Sequence, residues 1–245
     1  MDEPGVAAVE RALTIVGAFG AGGEPMTLNE IALKTGFYKS TILRLLASLE
    51  RHHCVLRLAD GRYQLGPAFL HWGNIFQRSS RLENHVVPVL QHLAHETGES
   101  ASFYVRQGEQ RLCLFRIDSG HSVRDHVRVG DLLPLDRGAA GRILREGGLD
   151  GSAPPKVDLV VTRGERDPET AAVAAPVYGP ADVLRGALSL SGPVSRFTVD
   201  LQKRSSALLR EAAADLTQRL GGSATLFAQA RRPAATRKPA GGRRG

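Results

Sequence analysis

The stretch "TGFYKSTILRLLASLERH", Thr35 to His52, decides how the first third of this chain is read. Set on a helical wheel at ~100° per residue, Ile42, Leu45, Leu46 and Leu49 fall within an arc of roughly 100°. Ser40, Thr41, Arg44 and Ser48 take the other side, with Lys39 beside the N-terminus. That polar side is small and cationic, whereas a merely solvated helix face mixes Glu with Lys. A helix that enters a DNA major groove needs this combination. Ser and Thr permit close approach, while Lys39 and Arg44 reach phosphates or base edges. Glu50 comes only at the helix end, away from the groove-facing arc.

The flanking segments fit that reading. In "AAVERALTIVGAF", Val9, Leu13 and Val16 recur at helical spacing, flanked by Ala12 and Phe19, and "GAGGEP" stops the helix. In "TLNEIALKTGF", Thr27 is placed to cap a second helix, Glu30 is its capping-box partner, and Gly36 ends the turn. "CVLRLADGRYQLG" supplies two short strands around Asp60-Gly61, a hairpin signal. Helix, helix, Gly turn, helix, hairpin is a winged helix-turn-helix plan. An ordinary surface helix in another bundle would not require that whole order.

Length and charge set the wider frame. The 245 residues suffice for one large or two small domains. The formal charge is +7, but six of those charges belong to Arg231, Arg232, Arg237, Lys238, Arg243 and Arg244 in the acid-free tail "ARRPAATRKPAGGRRG". Its Pro, Ala and Gly build no core, so it reads as a disordered basic tail over 223–245. It is either a solvated appendage or a source of non-specific DNA attraction. No stretch approaches ~18–20 apolar residues, and the N-terminus carries acids where a signal peptide needs bases, so a cytoplasmic protein is expected. Cys54 and Cys113 stand far apart without a ligand pattern, and both are expected reduced and partly buried.

Beyond the hairpin, helices are expected over roughly 67–78 and 82–97. Strands follow at "SASFYVRQ", "QRLCLFRID" and near "DHVRVG", then a short helix capped by Asp136 in "DRGAAGRILRE". Further strands read in "VDLVVTR", "AAVAAPVYG" and "RGALSLSG", and "TVDLQKRSSALLREAAADLTQRLG" is a final amphipathic helix. An α+β fold with an antiparallel sheet results, of the size that cups a small ligand. Ser189 and Ser191 alternate with Leu188 and Leu190, so both face one side of their strand. With Ala172 and Thr162 on neighbouring strands they form the bottom of a polar pocket, suited to the carboxylate or hydroxyl of an organic acid. His92 and His95 with Glu96 and Glu99 match no metal-binding arrangement and read as a half-solvated helix face. "DRGAAGRIL" lacks the pattern of a phosphate loop. No nucleophile–base pairing or G-x-S-x-G elbow appears, and neither catalysis, a cofactor nor a metal is indicated.

Taken in order, "ERALTIVGAF…LNEIALKTGFYKSTILRLLASL…GRYQLG" and "RVGDLLPLDRGAAGRIL…AAVAAPVYG…GALSLSGPVSRFT" resemble the transcriptional regulators of the IclR family, over almost everything from Val9 to Leu220. The resemblance implies a winged helix-turn-helix DNA-binding domain over 1–66, a linker helix over 67–80, and a GAF-like effector and oligomerisation domain over 81–222. It implies dimers or tetramers on an operator. DNA contacts carry over to Lys39, Ser40, Thr41 and Arg44, with Arg62 and Tyr63 on the wing and Thr27 at the entry to the preceding helix. Effector contacts carry over to Leu133, Ala139, Ala140, Thr162, Ala172, Ser189 and Ser191. The chain departs from the family pattern in carrying Ala172 where many relatives have cysteine, Glu169 for a glycine, and Asp136 for a histidine. The stretch between "GRILRE" and "VDLVVTR" is also shorter than usual. The expected function is a repressor released or engaged by an aromatic or short-chain organic acid. Two other readings stay open: a small-molecule sensor or enzyme whose N-terminal helices mediate protein contacts, and a DNA-binding protein whose effector domain serves only assembly.

Overall fold

A computed structural model describes residues 5–20, 23–79, 81–147, 158–223 and 227. The shortened stretch at 148–157 and nearly all of the basic tail lie outside the described residues. The chain divides into two compact units, Met1–Ser80 and Arg81–Gly245.

The first unit holds α1 (Ala7–Ala18), α2 (Leu28–Thr35), α3 (Lys39–Arg51), the strands β1 (Val55–Arg57) and β2 (Tyr63–Leu65), and α4 (Ala68–Ser79). The capping box forms as the sequence predicts: the Glu30 amide donates to Thr27 Oγ1 at 3.3 Å, and the Thr27 amide donates to Glu30 Oε2 at 2.7 Å. Gly36 closes α2 in the left-handed region at φ 71°, which the tight turn into α3 demands. β1 and β2 pair antiparallel, and Tyr63 also exchanges two 2.7 Å backbone hydrogen bonds with Met26. That bridge pins the wing to the chain entering α2. Ile15, Phe19, Met26, Ile31, Ile42, Leu46, Val55 and Tyr63 form one core. The apolar face expected on α1 is corrected here. Ile15 and Phe19 point inward, while Val9 and Leu13 are more than half exposed. The helix is apolar on two sides, and packing against α2 and α3 selects one of them.

The second unit contains α5 (Arg81–Thr97), β3 (Ser100–Gln107), β4 (Gln110–Ile117), β5 (Leu132–Pro134), α6 (Ala139–Glu146), β6 (Val160–Arg163), β7 (Thr170–Tyr178), β8 (Leu184–Pro193) and α7 (Val199–Arg219). The six strands form one antiparallel sheet in the order β5-β4-β3-β8-β7-β6. Strand alternation sorts the two faces. Ala101, Phe103, Val173, Ala175, Leu188 and Leu190 pack in one core with residues of α5 and α7. Tyr104, Cys113, Ala174 and Ala187 pack with α6 on the opposite side. The strand expected near "DHVRVG" is absent; 118–131 runs as a loop and β5 begins only at Leu132. Of its alternating apolar residues only Val127 is buried, while Val129 stays exposed, so the segment has no face to give a sheet.

Candidate nucleic-acid interface and effector cleft

On α3, Lys39, Ser40, Arg44, Ala47 and Ser48 are exposed, and Thr41 is half-buried beside them. Among the described residues neither Lys39 nor Arg44 has a carboxylate partner, so both charges are available to a polyanion. Tyr38 precedes the helix without a side-chain cap, and no acid occupies the first turn. The first amides of α3 and its positive dipole end therefore meet no internal anion. Tyr38 is also the most exposed aromatic of the unit, at 85%. The amphipathic pattern does not single it out, because it precedes the periodic run.

The wing behaves differently. Arg62 Nε donates to Asp60 Oδ2 at 2.8 Å, so its charge is partly offset at the hairpin tip. Hydrogen bonds from the Arg62 amide and side chain hold the Asp60 carboxyl below the usual carboxylate range. Tyr63, expected on the wing surface, is instead core, at 3% exposure. The strand alternation that turns Arg62 outward turns the next residue in, where the Arg57 guanidinium sits 5.8 Å from its ring centre. The Thr27 hydroxyl is exposed but engaged in the capping box.

In the second unit, the sheet face beneath α6 is floored by small residues. Thr162, Ala172, Ser191 and Ser100 lie in register across β6, β7, β8 and β3. The next row is Val160, Ala174, Ser189, Ser102 and Arg116. Above them a narrow cleft is lined by Thr162, Ala172, Ser189, Ser191, Ala139 and Ala140, six of the seven predicted positions. It is tightly closed in this arrangement: the cavity is only about 20 Å³, room for about one water. Leu133 does not line it. It pairs with Arg111 across the β4–β5 ladder, and the longer arginine side chain reaches the cleft in its place.

The cleft is far more polar than alternation alone indicates, because Tyr104, Arg111, Asp125 and Arg166 also line it. Arg111 is buried at 3% exposure. It donates to the carbonyl oxygens of Pro134 and Arg137, and among the described residues its Nε has no partner and no carboxylate contacts it. Burial lowers its pKa from the ordinary arginine value. Its planar group lies 5.5 Å from the Tyr104 ring centre, and burial pushes the Tyr104 phenol up to about 12. A Cβ at Gly141 would collide with this guanidinium and lie 2.8 Å from the Leu135 carbonyl oxygen, so the close approach of α6 requires glycine there. Asp136 is not the cap of α6. Arg111 holds the Arg137 carbonyl, Gly138 takes the N-cap position, and Asp136 pairs with Arg137 instead. Asp125 accepts from Ser191 Oγ at 2.8 Å, from Arg166 Nη2 at 3.3 Å and from Arg116. Arg116 also reaches Asp118 at 2.7 Å and Ser102 Oγ at 2.9 Å.

Both cysteines are free and buried, and burial pushes the Cys113 thiol up to about 12. Among the described residues no group of three or more His, Cys, Asp or Glu side chains gathers as a metal site, and no helix is long and apolar enough to cross a membrane.

A helix-turn-helix unit with an exposed cationic helix face, followed by an α+β unit with a curled antiparallel sheet, has the architecture of a DNA-binding transcriptional regulator. Residues 8–58 match the IclR helix-turn-helix domain, and residues 78–146 and 159–218 match the bacterial transcriptional regulator IclR C-terminal domain. The chain belongs to the IclR family. It is 25% identical to the HTH-type transcriptional regulator KipR of Bacillus subtilis (strain 168), over 80% of this chain and 90% of that one. It is also 25% identical to the transcriptional repressor IclR of Escherichia coli (strain K12), over 89% and 91%. An IclR-type regulator structure from Alicyclobacillus acidocaldarius shares 25% identity at a TM-score of 0.76, covering 89% of this chain and all of that one. An IclR homolog from Microbacterium hydrocarbonoxydans, complexed with 4-hydroxybenzoate, shares 20% identity at a TM-score of 0.71, covering 87% and 99%. The match to the C-terminal domain pauses between 146 and 159, around the stretch that reads as short in the sequence.

Proposed function

We propose that this protein is a transcriptional repressor whose operator binding is controlled by a small organic acid held in the cleft beneath α6. The observation that carries the effector class is Arg111, a buried guanidinium lining the cleft with no carboxylate partner among the described residues. Its carbonyl contacts satisfy part of the guanidinium but supply no counter-charge, which an anionic ligand would bring. The cavity itself is only about 20 Å³, so a short or flat acid is admitted only when the lining moves, and Ser189 then offers a hydroxyl to orient it. 4-Hydroxybenzoate, held by the Microbacterium homolog, is an acid of this kind.

DNA contact is assigned to Lys39, Ser40, Thr41 and Arg44 on α3, with Arg62 on the wing and Thr27 near the backbone. Homodimers or tetramers would place two recognition helices in successive major grooves, ~34 Å apart, on a pseudo-palindromic operator. The exposed apolar residues of α1 (Val9, Leu13, with Val6 at its cap) and α4 (Leu70, Trp72, Ile75) suit self-association. The segment over 67–78 would carry the effector signal, which requires that the acid bind the DNA-competent and incompetent arrangements unequally. The repressor role follows the Escherichia coli relative.

Fluorescence anisotropy with DNA from upstream of the gene, against scrambled DNA and over a salt series, tests this. A preference of several decades at physiological salt, abolished or enhanced by benzoate, 4-hydroxybenzoate or pyruvate, is expected. Equal, salt-steep binding to both DNAs would reduce the protein to a non-specific binder through its tail. Specific binding that no acid changes would leave the second unit to assembly alone.

A further inference from the structure

We propose that Asp125 is a resident carboxylate that occupies the anion subsite of the cleft, and that an acid effector must displace it and the loop carrying it. The inference rests on the effector reading above and names its moving part.

Three observations converge on it. First, Asp125 is bound as a ligand would be. Its carboxylate, 3% exposed, takes hydrogen bonds from Ser191, Arg166 and Arg116, which come from three separate elements of the chain. Ser191 is among the floor residues assigned to the effector, yet its hydroxyl already donates to Asp125. Second, Asp125 arrives on a loop and not on the framework. Among the described residues no backbone–backbone hydrogen bond involves 120–127. The side-chain ties there are the Asp125 bonds, the Arg196 bonds to the Val123 carbonyl at 3.2 Å, the His121 amide to Ser119 Oγ, Arg124 to the His121 carbonyl, and an exposed Arg124–Asp118 ion pair at 3.5 Å. Val127 adds one buried apolar contact. Segments with few backbone bonds and little buried apolar surface open at low cost. Third, the exchange balances in charge. Expelling Asp125 alone would leave Arg116 and Arg166 without it, whereas an incoming carboxylate restores both pairs. Arg111, which donates to carbonyls but to no carboxylate among the described residues, draws the acid toward the same cleft. The released Asp125 enters water, where a carboxylate is well solvated.

The arrangement makes the cleft self-competitive, so effector affinity is reduced by the fraction of time Asp125 sits in place. A free acid and the tethered carboxylate compete for one set of donors.

Asp125→Ala in the full chain tests it, with sodium acetate as the probe against chloride at matched ionic strength. The variant is expected to melt below the wild type in chloride and to regain stability saturably with acetate. Half-saturation should fall at least tenfold below any acetate response of the wild type. Equal acetate responses in both proteins, or none in the variant, would overturn the proposal. Should Asp125→Ala fail to fold, Asp125→Asn keeps the side-chain volume without the charge. It should then bind benzoate at least tenfold more tightly than the wild type by calorimetry, and equal or weaker binding would sink the idea. These readouts need no DNA. Acetate rescue together with acid-indifferent operator binding would retain the resident carboxylate and remove the effector reading. Acid-controlled operator binding without rescue would do the reverse.

Discussion

The two cationic sites of this protein are built in opposite ways. On α3, Lys39 and Arg44 stand five residues apart, exposed and without carboxylate partners among the described residues, on a helix whose other side is core. Under α6, Arg111, Arg116 and Arg166 come from β4 and from the β6–β7 connection, two of them buried, and tertiary structure alone brings them together. Surface cations keep their hydration and hold affinity in reserve for a polyanion, with strong dependence on salt. Interior cations have lost that hydration and must be answered by carboxylates or carbonyls, so each is committed to a specific geometry. A DNA site of the first kind tolerates loss of a single contact. A site of the second kind fails as a network.

Arg116→Ala should break that contrast most visibly. It strips Asp125 of a buried partner and is expected to cost ~3–5 kcal/mol, read as a fall in the urea midpoint. A loss below ~1 kcal/mol would mean the interior charges are as independent as the surface ones. Arg44→Ala, by comparison, should leave the urea midpoint unchanged and weaken operator binding by ~1–3 kcal/mol, with preference relaxed at one base position if the guanidinium reads a base edge. A uniform loss over all sequences, with a shallower salt slope, would make it a phosphate contact. Thr27→Ala removes the capping-box hydroxyl and should cost ~1 kcal/mol in the first unit's stability, measured by thermal unfolding. Smallest of all, Asp60→Ala breaks a half-exposed, solvent-screened pair and should leave the melting temperature nearly unchanged. It should nonetheless tighten DNA binding at low salt, since it frees Arg62 and removes a negative charge from the wing. Unchanged affinity would place the wing tip outside the interface.

The difference between the sites also explains what could be read from residue order. Ile42 and Leu46 are buried and Ser40 and Arg44 exposed as the helical period dictates, because a helix sets its own faces from neighbours three and four residues away. The Thr27–Glu30 box and the Asp60-Gly61 hairpin are equally local. In the second unit, strand alternation found Thr162, Ala172, Ser189 and Ser191, since period two is also local. It missed Arg111, Asp125 and Arg166, whose partners lie 26, 66 and 41 residues away in the chain. The alternation of Val127 and Val129 suggested a strand, when the purpose of that segment is to deliver Asp125 into the cleft. On α1, two apolar sides left the period ambiguous, and only packing against α2 and α3 chose Ile15 and Phe19 over Val9 and Leu13.

By itself, then, the order of residues determined what short-range forces decide: the winged helix-turn-helix, the polar and apolar sides of α3, the antiparallel strands and the small-residue floor. Tertiary structure decided the charge of the cleft, the burial of Tyr63, the start of α6 at Gly138 and the place of Asp125. Each depends on strand register and on desolvation, and a charge acquires its meaning in the interior only when the groups that answer it are brought within hydrogen-bond reach.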